Sequence, residues 1–206
     1  MSESPRSYRI ILPPAWIRIP VGDGTEAAIG ELLDAQFAGA PMDKYGPRRS
    51  RVEASIRDAA ASARESGGID LIFPIGTPWM VPVSAGIVIS RNAAPQTWSV
   101  GPAEVLKSIS ASIPGSSLVE TSAGTAVRET TDHRAGLTKD PVSIARLFTM
   151  TYTWLIPQTA NELFLATFSV TGETTEDYAP IVEALTTLVD AMLQSVVWDY
   201  PGSETA

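Results

Sequence analysis

The feature that most constrains this chain is an alternation in its last third. Between Arg146 and Ile156, the residues Phe148, Met150, Tyr152, Trp154 and Ile156 fall on one side and Thr149, Thr151 and Thr153 on the other. That period of two belongs to a half-buried strand. After a linker from Pro157 to Asn161, Phe164, Ala166, Phe168 and Val170 repeat the pattern opposite Leu163, Leu165, Thr167 and Ser169. The spacing predicts two antiparallel strands with one apolar face and one hydroxyl face. Caps between Glu173 and Asp177, with Pro180 in the first turn, then open a long amphipathic helix. Its stripe is Ile181, Leu185, Leu188, Met192 and Val196, and it is expected to run to Trp198. Phe148, Met150, Tyr152, Trp154, Phe164 and Phe168 are therefore expected in the core beneath a helix.

The rest of the chain reads as short elements punctuated by Pro and Gly. Tyr8 to Leu12 and Trp16 to Val21 form two short strands around a Pro13-Pro14 corner. A helix capped within Asp23-Gly24-Thr25-Glu26 carries Ile29, Leu32, Leu33 and Phe37. Pro47 is expected in the first turn of a second helix with Val52, Ile56, Ala59, Ala60 and Ala63 on one stripe, closed by Gly67 and Gly68. Ile69 to Ile75 and Val81 to Ser90 read as a hairpin, and Pro102 opens a helix through Val105, Leu106, Ile109 and Ile113. Two more strands follow at Ser117 to Thr121 and Thr125 to Thr130, and the polar stretch from Thr131 to Pro141 reads as an exposed loop.

Runs of adjacent strands with helices inserted between them imply an α+β fold built on a largely antiparallel sheet flanked by helices. Buried parallel strands would be apolar on both faces, and the threonine positions argue against that. A length of 206 residues suits a single domain, with an ordered core over about residues 8–198.

Composition narrows the function. The net charge of −8 and pI near 4.7 weigh against a nucleic-acid partner, because phosphate binding needs a basic surface. The sequence has no cysteine, which removes disulfides, thiolate metal sites and a cysteine nucleophile. One histidine leaves carboxylates alone as metal ligands, and no calcium loop is present, so neither a metal nor a cofactor is expected. Gly22-Asp23-Gly24 followed by Gly30 has the wrong spacing for a phosphate cradle. Met1 to Arg9 lacks the apolar stretch of a secretory signal and no run is long enough for a membrane span. A cytoplasmic protein is the expectation.

The opening Tyr8-Arg9-Ile10-Ile11-Leu12-Pro13-Pro14-Ala15-Trp16 resembles the start of PsbP-like domains. The ending, Phe164 to Val170 followed by a long helix and Val196-Val197-Trp198, is similar to their terminal strand and helix. The resemblance implies an α/β/α sandwich around an antiparallel sheet over most of residues 8–198. It also implies a non-enzymatic role, since members act as assembly factors, small binding proteins, lipoprotein domains and adaptor chaperones. In its proline, alanine and arginine content the chain is also similar to cytoplasmic actinobacterial proteins, some associated with type VII secretion. It departs from the lipoprotein members in having neither a signal nor a lipidated cysteine.

Four groups of residues are candidates for binding. Lys44, Arg48, Arg49 and Arg51 place positive charge at the expected start of the second helix, where it opposes the helix dipole and suits an acidic protein surface. Trp79 and Met80, set between Pro78 and Pro82, suit adaptable apolar contacts or an ordinary cap over the core. His133, in the run Arg128 to Arg134, is the one possible base for a serine nucleophile, although no Gly-x-Ser-x-Gly elbow accompanies it. The fourth is the threonine face itself, whose covering is open at this point. These observations favour a non-catalytic binding or adaptor protein that recognises a protein segment or a small apolar ligand. The alternatives are a hydrolase-type enzyme built around Arg128–Arg134 and a structural subunit that forms homo-oligomers.

Overall fold

A computed structural model describes residues 4–75, 83–93, 101–134, 145–159, 162–173 and 178–202. Among them the elements run β1 (Ser7–Arg9), β2 (Trp16–Pro20), α1 (Thr25–Gln36), α2 (Met42–Glu65), β3 (Gly68–Pro74), β4 (Val83–Ala93) and α3 (Pro102–Ser112). They continue with β5 (Ser117–Thr121), β6 (Gly124–Arg134), β7 (Ala145–Leu155), β8 (Glu162–Glu173), α4 (Tyr178–Gln194) and β9 (Val197–Asp199). The fold is α+β. Seven antiparallel strands pair in the order β2-β3-β4-β8-β7-β6-β5, and β1 and β9 form a separate two-stranded ribbon.

The alternation in β7 and β8 fixes the register. Met150 lies opposite Phe168, Tyr152 opposite Ala166 and Trp154 opposite Phe164. Those residues are buried on one face together with Ile72, Ile87 and Ile89 from β3 and β4. Helix α4 closes this face with Leu185, Val189, Met192 and Leu193. Tyr8 on β1 and Trp198 on β9 complete it, their rings packing edge-on to Phe164 at centroid distances of 4.8 and 5.2 Å. Phe148 is only partly buried, at the margin of the cluster.

Among the described residues the opposite face is covered only at its two ends. At one end Ile29 and Leu33 of α1 and Ile56, Ala60 and Ala63 of α2 pack on Ile19 and Leu71. The chain leaves α2 through Gly67, whose φ of 76° favours glycine, and Gly68, where an added Cβ would lie 2.6 Å from the Ala63 carbonyl oxygen. At the other end α3 lies across β5 to β7 with Val105 and Leu106 buried, and the register partners Val127 and Thr153 are buried there too.

Several expectations are corrected by tertiary contacts. The two N-terminal strands do not share a sheet: the chain breaks at Pro13 to Ala15, where Ala15 has φ of 66°, and β1 leaves to pair with β9. The first is also shorter than Tyr8 to Leu12, and Ile11 is exposed. Helix α2 starts at Met42, so Pro47 lies inside it and not in its first turn. The stretch from Thr131 to Arg134 is strand, because β7 extends β6 with partners as far as Arg146. Helix α4 ends at Gln194 and Trp198 is in β9, the turn being held by the Ser195 hydroxyl, which donates to the Met192 carbonyl and accepts from the Ile11 amide. Leu188, expected in the buried stripe, is exposed, whereas Val189 and Leu193, expected to widen that stripe, are buried.

Candidate functional site

Between the helical layers of the half-covered face lies a trough. Its floor is the middle of the sheet, where alternation places Ser84 and Gly86 of β4 opposite Thr171 and Ser169 of β8. Thr149 and Thr151 continue the hydroxyl surface on β7. These positions bury only part of their area, Ser84 is exposed, and Thr151 donates to or accepts from Thr167 across the strands at 3.3 Å. One wall is the underside of α2, with Arg48, Ser55, Ile56 and Ala59. The cavity enclosed has a volume of about 700 Å³.

A second cavity, of about 450 Å³, adjoins it between α1, α2 and the end of β3. Its walls are mainly apolar, with Leu32, Phe37, Val52, Phe73 and Ile75. Arg48, Ser55, Ile56, Phe73 and Pro74 line both cavities, so the two spaces adjoin along these residues. The volumes are those of small-molecule sites, which are typically about 300–1,000 Å³.

The helical period puts Arg48 there. Arg48, Val52, Ser55, Ile56 and Ala59 recur at the spacing of one helix face, so the stripe that packs on the sheet runs back to the arginine. Because α2 begins at Met42, Arg48 and Arg49 lie in its second turn and the expected conflict with the helix dipole does not arise. Arg49 turns the other way and donates to Asp34 of α1 at 2.7 Å. Arg57 likewise bridges Glu26 and Glu53 on the outside of the helix pair. Among the described residues Arg48 makes no hydrogen bond or ion pair, and no Asp or Glu lines either cavity. Arg51 likewise has no partner among the described residues, but it lines neither cavity.

The Arg128–Arg134 segment is dispersed by the strand it forms. Arg128 and Asp132 share the α4 face, whereas Glu129 and Thr131 occupy the other. Arg128 donates to Asp190 of α4 at 2.7 Å, and Asp190 also accepts from the Tyr152 hydroxyl at 2.8 Å and from Gln194 at 2.8 Å. Burial first, then the hydrogen bond to Asp190 and its charge, push the Tyr152 phenol up to about 12. Asp132 is paired with Arg146. The backbone register sets His133 opposite Leu147, and its side chain lies outside the described residues. Trp79 and Met80 also lie outside the described residues, in the connection between β3 and β4.

A second polar cluster lies at the other end of the α4 face. Asp70, 2% exposed, receives Nε and Nη2 of Arg18 at 2.7 and 2.8 Å and the Tyr8 hydroxyl at 2.8 Å. Burial and the Asp70 charge push the Tyr8 phenol far up, while the Arg18 guanidinium, 4.6 Å from its ring centre, pulls the other way. This cluster ties β1 to the sheet, and every group in it is satisfied.

Among the described residues no group of three or more His, Asp or Glu side chains is placed to hold a metal ion. No described helix is long and apolar enough to cross a membrane. No family model matches the chain, and no curated protein sequence matches it. Sequence reasoning named Arg48 for its charge and the threonine face for its pattern. It missed Ser55, Ser84, Gly86 and Phe73. The signal for Ser55 was present, since it lies seven residues after Arg48 on the stripe.

Proposed function

We propose that this chain is a non-catalytic binding protein that takes a small, largely apolar ligand in the trough beneath α2. The observation that carries this reading is the adjoining of two cavities that share Arg48, which has no partner among the described residues, over a floor of hydroxyl groups. Apolar walls with a few convergent polar groups characterise ligand sites. Residence in the cytoplasm belongs to the same proposal and is supported by the cysteine-free sequence. So does kinship with PsbP-like domains, supported by an antiparallel sheet with helices on both faces.

A variant that fills the trough tests the reading. An added Cβ at Gly86 would lie 3.6 Å from the Ile72 carbonyl oxygen and 3.7 Å from Phe73 Cβ, both ordinary contacts. Gly86→Val therefore narrows the trough at little cost to the fold. Native mass spectrometry of the protein purified from its host should show a bound small molecule that Gly86→Val loses. Equal ligand content in the two proteins, or none in either, would remove the trough from consideration.

An adaptor for a protein segment is the second reading. It is favoured by β5, which is the last strand of the sheet on its side and has Leu118 exposed on it. An extended segment could add to such an edge. Leu118→Pro, which removes an amide facing the free edge because the hydrogen-bonded pairs with β6 fall at Ser117, Val119 and Thr121, should then abolish recovery of a partner while leaving small-molecule content unchanged.

A further inference from the structure

We infer that the ligand is an amphiphilic carboxylic acid, its carboxylate on Arg48 and its hydrocarbon chain in the cleft between α1 and α2. The inference rests on the trough being a ligand site and adds the chemistry of what fills it. Charge decides the head group. The chain carries a net −8, yet among the described residues the walls of both cavities hold one arginine and no carboxylate. A cation would find no counter-charge there. A phosphate monoester would bring close to two negative charges to one guanidinium on an acidic protein, whereas a carboxylate brings one. The guanidinium fork matches a carboxylate's two oxygens. Ser55 and Ser84, which line the same cavity as Arg48, supply further donors.

The apolar half of the ligand follows from the second cavity. Leu32, Phe37, Val52, Phe73 and Ile75 surround a space of about 450 Å³ that the same arginine also lines. A short polar acid would leave it unfilled, while an unbranched chain of about ten carbons removes it from water at about 0.8 kcal/mol per buried CH₂. Arg48 lines both cavities, so a head group held there can keep its tail in the apolar cleft beside it, as an amphiphile requires.

Titration calorimetry on the full chain, with decanoate, decan-1-ol and decylamine below their aggregation concentrations, tests the assignment. Decanoate should bind at least about tenfold more tightly than decan-1-ol, and decylamine should bind least. Arg48→Met should weaken decanoate about tenfold and leave decan-1-ol unchanged, with partial recovery in Arg48→Lys. Arg51→Met, a substitution on the same helix away from the cavities, should match the wild type. Arg48 is exposed and has no partner among the described residues, so its variants should keep the wild-type Tm. If decanoate and decan-1-ol bind alike, or Arg48→Met changes neither, while Gly86→Val abolishes both, the carboxylate assignment is overturned and the ligand site stands. If none of the three amphiphiles binds, the assignment is overturned, and the ligand content of the host-purified protein then judges the site separately.

Discussion

The two faces of the seven-stranded sheet are made by the same strands yet solve opposite problems. On the α4 face the side chains of β7 and β8 are closed in aromatic contact, with Tyr152 and Trp154 stacked at 5.3 Å and Trp154 edge-on to Phe164 at 5.8 Å. Its buried polar groups are tied: Asp70 to Arg18 and Tyr8, Asp190 to Arg128, Tyr152 and Gln194, and the Trp154 indole Nε1 donates to Thr121 at 3.0 Å. Among the described residues no buried side-chain nitrogen or oxygen lacks a partner. On the opposite face the described helices cover the ends and leave the middle, where hydroxyls remain beside Arg48, which has no partner among the described residues. The aromatic cluster lies on the first face, and the unfilled space lies on the second.

Substitutions should separate the two. The largest effect is expected from Trp154→Ala, which empties a site 1% exposed at the centre of the aromatic cluster and should cost about 3–5 kcal/mol. A urea titration followed by circular dichroism measures it, and a loss under about 1 kcal/mol would mean that the cluster is not the centre of stability. Asp70→Ala comes next, at about 3 kcal/mol, because it leaves Arg18 and Tyr8 facing each other without their acceptor. Since Arg18 keeps partial access to water, the lower end of the range for broken buried pairs applies. Gly172→Ala follows at about 1–3 kcal/mol, an added Cβ falling 2.8 Å from the Tyr178 ring and 2.9 Å from Val83 Cγ1. That cost marks how tightly the start of α4 is seated on the closed face.

The closed face should also carry an alkaline signature. Tyr152 is held neutral to about 12, whereas an unfolded tyrosine ionises near 10. Above pH 10 the unfolded chain binds fewer protons than the folded one, so stability falls as pH rises. The contribution is intact below pH 10 and is lost progressively up to about pH 12. Denaturant titrations at pH 9, 10 and 11 should show this fall, and Tyr152→Phe should show a smaller one. An equal slope in the two proteins would mean that Tyr152 ionises freely, and that its bond to Asp190 is absent in solution.

How legible all this was in the sequence differs between the faces. The alternation of Phe148 to Trp154 and Phe164 to Val170 was enough to assign strands, pairing and core, because a period of two leaves one solution once a face is buried. The β1–β9 ribbon was not legible. Two strands of three residues, joined across nearly the whole chain, carry no local periodicity, and their pairing is decided by Tyr8 and Trp198 meeting Phe164. The start of α2 was misplaced because proline favours a first turn. Pro47 is tolerated in the second because the turn is exposed and the missing amide deprives only the Asp43 carbonyl, which water reaches. That shift of five residues turned Arg48 and Arg49 from a helix-end charge cluster into one arginine aimed at a cavity and one paired with Asp34. The trough itself depends on how far apart α2 and α3 are set on the sheet, which no periodicity encodes.

The smallest effect is expected on the open face, where it is most diagnostic. Thr149 lies on the hydroxyl surface between Thr131 and Ser169, and it makes no side-chain hydrogen bond among the described residues. Thr149→Val is nearly isosteric, removes no protein contact and gains strand propensity, so its stability should stay within about 0.5 kcal/mol of the wild type. If the hydroxyl floor existed for folding, each such replacement would cost a hydrogen bond, about 1 kcal/mol. If it is not needed for folding, Thr149→Val should leave the melting curve unmoved, and the decanoate affinity unchanged as well, since Thr149 lines neither cavity. A marked loss of stability would place the threonines in the folding problem, and the division between a closed, stabilising face and an open, binding face would no longer hold.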